Sequence, residues 1–204
     1  LMGVHMAVGL AKKTSRGDLK RKRILEALHR CIIAKGYAKT TLAEIATEAE
    51  LYPSHVLYYF EGKEAILEYY FTQISALFRR RLNSFKDEVP SEKIKSLTDF
   101  FFADNVVTHS EIGFMLECFG VAVNDEIMKG EKAALDVFCK TYLADMFKDT
   151  PCNFVLGARA SAEIAYAILI GLRTAVYFDD SVDLKEARGL YLDAMLKISG
   201  LEAA

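Results

Sequence analysis

Residues 40–60 read TTLAEIATEAELYPSHVLYYF, and how this stretch divides decides the fold. Thr40 or Thr41 can cap a helix by accepting a backbone N–H, and Glu44 follows Thr41 by three residues, the spacing of a capping box. Leu42, Ile45, Ala46 and Ala49 then line one side of a short helix. A second helix starts at Pro53, because proline is tolerated at a first helical position, where the missing N–H has no intrahelical partner anyway. At 100° per residue, Val56, Leu57 and Phe60 share one arc, and Ser54, His55 and Tyr58 take the opposite one. Two short helices joined by a tight turn are therefore expected, the second with Val56, Leu57 and Phe60 buried and a small, polar and aromatic outer face. That is the pattern of a helix-turn-helix, whose second helix offers its N-terminal residues to a DNA groove.

The rest of the chain is compatible with an all-α protein of about nine helices. It has 204 residues, 52% of them apolar, and only three prolines. No segment alternates apolar and polar residues long enough to read as a strand. A helix over about Asp18–Ala34 carries Ile24, Leu25, Leu28, Ile32 and Ile33 as an apolar stripe and stops at Lys35-Gly36. No apolar run approaches the roughly 18 residues that cross a bilayer, and no signal peptide is visible, so a cytoplasmic location is expected, with no membrane partner. Leu1 to Met6 read as a tag remnant, within a flexible basic arm of residues 1–17. Residues 1–63 hold eleven Lys or Arg against six Asp or Glu, a net of +5, while the remainder nets −7. A basic front on an acidic body suits a polyanion-binding end and a separate second function.

Residues 23–67, RILEALHRCIIAKGYAKTTLAEIATEAELYPSHVLYYFEGKEAIL, resemble the DNA-binding region of the tetracycline-repressor (TetR) family of bacterial transcriptional regulators. The likeness runs without gaps through Ile24, Ala27, Gly36-Tyr37, Thr40-Thr41, Ile45-Ala46, Ala49, Tyr58-Tyr59-Phe60 and Lys63-Glu64. It implies a three-helix DNA-binding head over 18–63 and a larger ligand-binding and dimerisation domain over 64–204. Carried over by position, it implies Thr40 and Thr41 near the phosphate backbone and Ala43 close to the groove. Tyr52, Pro53, Ser54 and His55 would approach base edges, with Tyr58, Tyr59 and Lys63 toward phosphates. Three positions depart from the family pattern: Glu50 where the turn usually has glycine, Tyr52 where the cap is usually serine, and Leu57 where a tyrosine is usual. Glu50 must avoid or tolerate a positive φ, and Tyr52 has no short oxygen with which to cap.

Beyond the head, a long helix from Glu64 to about Lys86 is expected, then one from Glu92 to about His109 carrying Phe100-Phe101-Phe102. Residues 111–124 and a helix from about Asn153 to Phe178 follow, and a last one spans about Leu184–Ile198. In the family the middle helices enclose an effector, and the candidates here are Phe78, Phe101, His109, Met115, Cys118, Phe119, Phe138, Tyr142 and Tyr166, suited to an apolar or amphipathic molecule. Ala158, Ala162, Ala165, Leu169, Leu172 and Val176 recur at helical spacing. With Leu184, Ala187, Tyr191, Ala194 and Ile198 they form the candidate four-helix interface of a homodimer.

Catalytic signatures are missing. There is no G-x-G-x-x-G, P-loop or G-x-S-x-G, and the histidines at 5, 29, 55 and 109 have no metal spacing. Cys31, Cys118, Cys139 and Cys152 lie too far apart for a zinc site or disulfide framework and read as reduced thiols. Neither enzyme activity, cofactor nor metal is expected. The expected function is a homodimeric DNA-binding repressor of an inverted-repeat operator, released by a small effector. The competing reading is a helical small-molecule-binding or scaffolding protein that has lost DNA binding.

Overall fold

The computed structural model describes residues 15–103, 106–151 and 157–201. The arm up to residue 14, Cys152 and the expected helix start at Asn153 lie outside them. Among the described residues there are nine helices and no strand: α1 (Arg16–Lys35), α2 (Leu42–Glu48), α3 (Pro53–Tyr59), α4 (Lys63–Asn83), α5 (Pro90–Phe101), α6 (Val106–Ala122), α7 (Glu126–Lys148), α8 (Ala158–Phe178) and α9 (Leu184–Ser199). Two compact units divide the chain. Of the described residues, the first holds those up to Ile74 together with Gly113–Lys129, and the second holds those between Ser75 and Ile112 and those from Gly130 on.

In the first unit, α1 starts from a capping box in which the Ser15 hydroxyl accepts from the Asp18 N–H (3.1 Å) and the Asp18 carboxylate accepts from the Ser15 N–H (3.1 Å). Ile24, Leu25, Ala27, Leu28 and Ile32 are its buried side. Ile33, expected in the same stripe, is 43% exposed because it lies 100° beyond Ile32 and outside the arc that positions 24, 28 and 32 define. Gly36 closes α1 at φ 81°. α2 packs on α1 and α3 on α2, with Ile45, Ala46, Ala49, Val56 and Phe60 inside.

Thr41 caps α2 as expected, in a second capping box with Glu44. The Glu44 carboxylate also meets the Lys35 ammonium. That contact first, and the Thr41 hydroxyl and amide next, hold the Glu44 carboxyl down to about 2 from an ordinary 4.5. A group whose folded pKa is depressed contributes stability that is complete above its unfolded pKa and is lost as pH falls through its folded one. Unfolding midpoints measured from about pH 5 to about pH 2 should therefore show the gap between wild type and Glu44→Gln closing toward the acid end. A gap independent of pH would contradict the assignment.

In the second unit, α9 packs against both α5 and α8. The Arg188 guanidinium pairs with Asp99 (2.6 Å), and Arg173 on α8 donates to the Phe101 carbonyl at the end of α5 (2.6 Å). Helix boundaries differ from expectation at two points. α4 ends at Asn83 rather than Lys86, because Phe85 and Lys86 donate three residues back instead of four. α5 ends at Phe101 and His109 falls in α6. The early stop explains how three successive phenylalanines are accommodated: Phe102 is the C-cap, outside the helical wheel, and is buried with Phe101, while Phe100 is half-buried.

Candidate DNA-binding surface

The turn between α2 and α3 is a Schellman motif. The Leu51 N–H donates to the Ala46 carbonyl (2.8 Å) and the Glu50 N–H to the Thr47 carbonyl (3.0 Å). Its left-handed position, normally a glycine, is Glu50 at φ 53°, the one non-glycine with positive φ among the described residues. The chain thus tolerates the strain, and the Glu50 carboxylate receives the Arg23 guanidinium at 2.6 Å. Arg30 pairs likewise with Glu48 (2.6 Å), so two acids of the helix-turn-helix are fastened to α1.

α3 begins with Tyr52 in the cap position, whose side chain makes no capping bond, and Pro53 at the first helical position. Val56 and Phe60 anchor the helix in the core. Tyr52 is 73% and Tyr58 81% exposed, and Pro53, Ser54 and His55 are exposed with them. The Tyr52 ring meets His55 edge-on at 5.7 Å. In a helix-turn-helix it is the N-terminal residues of the second helix that face the groove, and here those residues are exposed.

Leu57 departs from expectation. It is 50% exposed, because Val56 and Phe60 alone lie close together on the wheel and Leu57 sits 100° from Val56. It joins the outer face. Tyr59 is half-buried, edge-on to Tyr58 (5.0 Å) and beneath the Arg21 guanidinium (5.4 Å), so it ties α3 to α1. Thr41 and Ala43 are exposed, whereas Thr40 is 1% exposed and its hydroxyl donates to the Gly36 carbonyl (2.9 Å). Thr40 therefore shapes the loop and cannot reach a phosphate. Lys63 donates to the Tyr37 carbonyl (3.1 Å), with its ammonium 4.0 Å from the Tyr37 ring centre. An ammonium has three donors, so two remain for another acceptor.

Residues far away in the chain complete this head. The Tyr37 N–H donates to the Glu117 carboxylate (3.0 Å), and Phe114 packs on His29 (4.7 Å) and Tyr70 (4.9 Å). Sequence reasoning assigned no such role to this part of α6, since no local pattern links positions 80 residues apart.

In the second unit, a void of about 10 Å³ lies between Leu82 of α4, Leu97 and Phe101 of α5, Cys139, Tyr142 and Leu143 of α7, and Tyr166 and Leu169 of α8. Of the nine effector candidates, Phe101, Tyr142 and Tyr166 line it. Phe78 and Phe138 touch that lining through Phe101 (5.6 Å) and Tyr142 (6.4 Å). His109 does not: it is exposed and stacks on Tyr177 at 5.2 Å. Met115, Cys118 and Phe119 belong to the first unit. No cluster of metal-ligating side chains occurs among the described residues.

The expected dimer stripe also needs correction. Ala158, Ala162, Ala165, Leu169 and Val176 of α8, and Leu184, Ala187 and Tyr191 of α9, are buried within the single chain, with Leu172, Ala194 and Ile198 half-buried. Helical spacing picks out a stripe but not what covers it, and here α8 and α9 cover each other. α8 has a second stripe on its far side, where Ala160, Ile164, Ala167, Gly171 and Phe178 are exposed. Two apolar stripes are why α8 is long and apolar enough, by composition alone, to resemble a membrane span.

A short helix anchored by Val56 and Phe60, joined by a tight turn to a capped helix and open at its N-terminal tip, defines the helix-turn-helix class. Residues 24–78 match the family model for bacterial regulatory proteins of the tetR family. The chain is 26% identical over 122 residues to the HTH-type transcriptional regulator BetI of Burkholderia cenocepacia, an alignment covering 57% of this chain and 62% of that protein. Its fold is similar to a transcriptional regulator from a Rhodococcus species (TM-score 0.78, 13% identity, 87% of this chain and 95% of the other). A regulator from Saccharomonospora viridis, solved in complex with choline, is similar as well (TM-score 0.75, 18% identity, 87% and 95%). The family model thus covers the helix-turn-helix and the start of α4, and the likeness of the remaining helices to these solved structures is one of fold.

Proposed function

We propose that this protein is a sequence-specific DNA-binding transcriptional regulator. It acts as a homodimer on an inverted-repeat operator in the cytoplasm, as a repressor released by a small effector. The reading assigns it no catalysis. The observation that carries it is the tip of α3, where Tyr52, Ser54, His55 and Tyr58 stand exposed on a helix fixed by Val56 and Phe60. His55 reads a base edge, while Thr41, Tyr58 and the free donors of Lys63 hold phosphates. Two copies join through the outer stripe of α8, spacing the heads by about one DNA turn, ~34 Å, or a multiple of it. A small molecule releases DNA by binding more tightly to a state whose heads are wrongly spaced. Choline is bound by one structural neighbour and is one molecule to try.

Selection of bound sites from a random duplex pool tests this reading. An inverted repeat should emerge, with affinity falling steeply as salt rises. His55→Ala should lose about 1–3 kcal/mol of discrimination at one position of each half-site. Lys63→Ala should weaken all sequences alike and flatten the salt dependence. If no duplex is retained at low salt, the regulator reading fails.

A further inference from the structure

We propose that Leu57 reads the 5-methyl group of a thymine, so that one A·T pair in each half-site is recognised there without a hydrogen bond. The proposal rests on the DNA-binding reading above and names a specificity-determining residue of that same surface. Val56 and Phe60 hold α3 in the core, and Leu57 is 50% exposed. Counted at about 100° per residue, Leu57 and His55 stand on either side of Val56, while Ser54 and Tyr58 lie opposite it. The tip of α3 therefore has two unlike flanks. On the His55 flank the Tyr52 ring meets the imidazole edge-on at 5.7 Å. On the other flank Pro53 precedes Leu57 by four residues, the spacing at which side chains on a helix surface are neighbours, and both are exposed. The side chains of this second flank carry neither donor nor acceptor.

The chemistry of the groove limits what such a flank can recognise. In the major groove guanine, adenine and cytosine present hydrogen-bonding groups, and thymine alone adds a methyl. Set against a donor or an acceptor, Leu57 would strip its water and return nothing. Set against a methyl, it takes apolar area from water on both partners. A phosphate is a poor match for the same reason, since the contacts that hold phosphates are made by hydroxyl, amide and cationic groups. The position of the side chain is also well fixed. Pro53 has a locked φ at the first helical position, and Val56 and Phe60, buried one residue before and three after Leu57, anchor the helix around it. The methyl contact and the base contact of His55 therefore come from opposite flanks of one rigid helix.

The test uses the full chain, the site selected from the random duplex pool, and uracil in place of thymine, which removes the methyl and keeps the pairing edge. Each thymine of one half-site is replaced in turn and the duplex titrated. One replacement should weaken wild-type binding about fourfold, the worth of one buried methylene-sized group. In Leu57→Ala that penalty should vanish, so that thymine and uracil bind alike, whereas in His55→Ala it should persist. Leu57 lies outside the core, so its alanine variant keeps the packing of the head, and the uracil scan of the wild type needs no substitution at all. A wild type indifferent to uracil at every thymine overturns the proposal. So does a selected half-site without thymine, or a penalty that survives in Leu57→Ala. Each of those results comes with specific binding intact and strikes this proposal alone. Failure to retain any duplex at low salt strikes the regulator reading and this proposal with it.

Discussion

If two copies pair through α8 as proposed, Ile164→Glu is expected to leave a 22.9 kDa monomer and to weaken operator binding by about a hundredfold or more. The expectation follows from how α8 is used. Its inner stripe, from Ala158 through Ala165 to Val176, is consumed inside the chain. Its outer stripe runs from Ala160 through Ile164, Ala167 and Gly171 to Phe178, which is 71% exposed. Eighteen residue steps of helix span about 27 Å, and a continuous apolar stripe of that length is more than a monomer ordinarily leaves to water. The small residues at 160, 167 and 171 let a second helix come close, and a two-fold axis would place each Ile164 against its own copy or near it. A carboxylate there loses its hydration against apolar side chains and repels its mate. Each head alone makes half the contacts, so separation of the copies removes the gain of binding two half-sites at once. Sedimentation of the variant reads the first effect and titration of the selected operator the second. A variant that stays dimeric with unchanged DNA affinity would place the interface elsewhere, whereas a monomer that keeps full affinity would contradict the two-headed reading.

The helix-turn-helix was legible in the sequence because its signals are local. Thr41 and Glu44 are three residues apart, Pro53 announces α3, and Gly36 ends α1, so each boundary is written within a few positions of itself. What escaped is what depends on partners. Leu57 and Ile33 fall at the rims of their arcs, where only the packed neighbours decide between core and solvent. The family likeness, carried over by position, puts Thr40 near a phosphate. The Gly36 carbonyl takes its hydroxyl, and nothing in the residues around 40 forecasts it. The α8 stripe was found by period alone, and period cannot tell a face that meets α9 from one that meets another copy. Glu117 illustrates the limit most plainly, for its one visible task is to accept the amide of a residue 80 positions earlier.

Gly36→Ala should destabilise the protein by about 2–4 kcal/mol, the largest stability effect expected of any single methyl in the head. Two causes add. At φ 81° and ψ 160° Gly36 occupies a region essentially closed to residues with a Cβ, and forcing one there costs about 1–3 kcal/mol. The added Cβ would also stand 3.0 Å from the Glu117 carboxylate that receives the Tyr37 amide, so either the carboxylate retreats or the loop into α2 shifts. For a chain of this length each kcal/mol is worth about 2–4 °C of melting midpoint, so a fall of roughly 5–15 °C is expected. The two causes separate in a double-mutant cycle. With Glu117→Ala the contact disappears and the alanine at 36 should cost less, while the backbone share of the loss persists. The opposite substitution at the other positive-φ site gives the control. Glu50→Gly relieves the left-handed strain of an L residue and loses only the Arg23 pair, whose two side chains are 46% and 84% exposed. An exposed pair of that kind is worth well under the strain it accompanies, so Glu50→Gly should gain about 0.5–1 kcal/mol. Urea unfolding of the four variants and wild type decides it. Should Gly36→Ala prove neutral, or Glu50→Gly prove costly, the backbone account of this head would be wrong at its two tightest points.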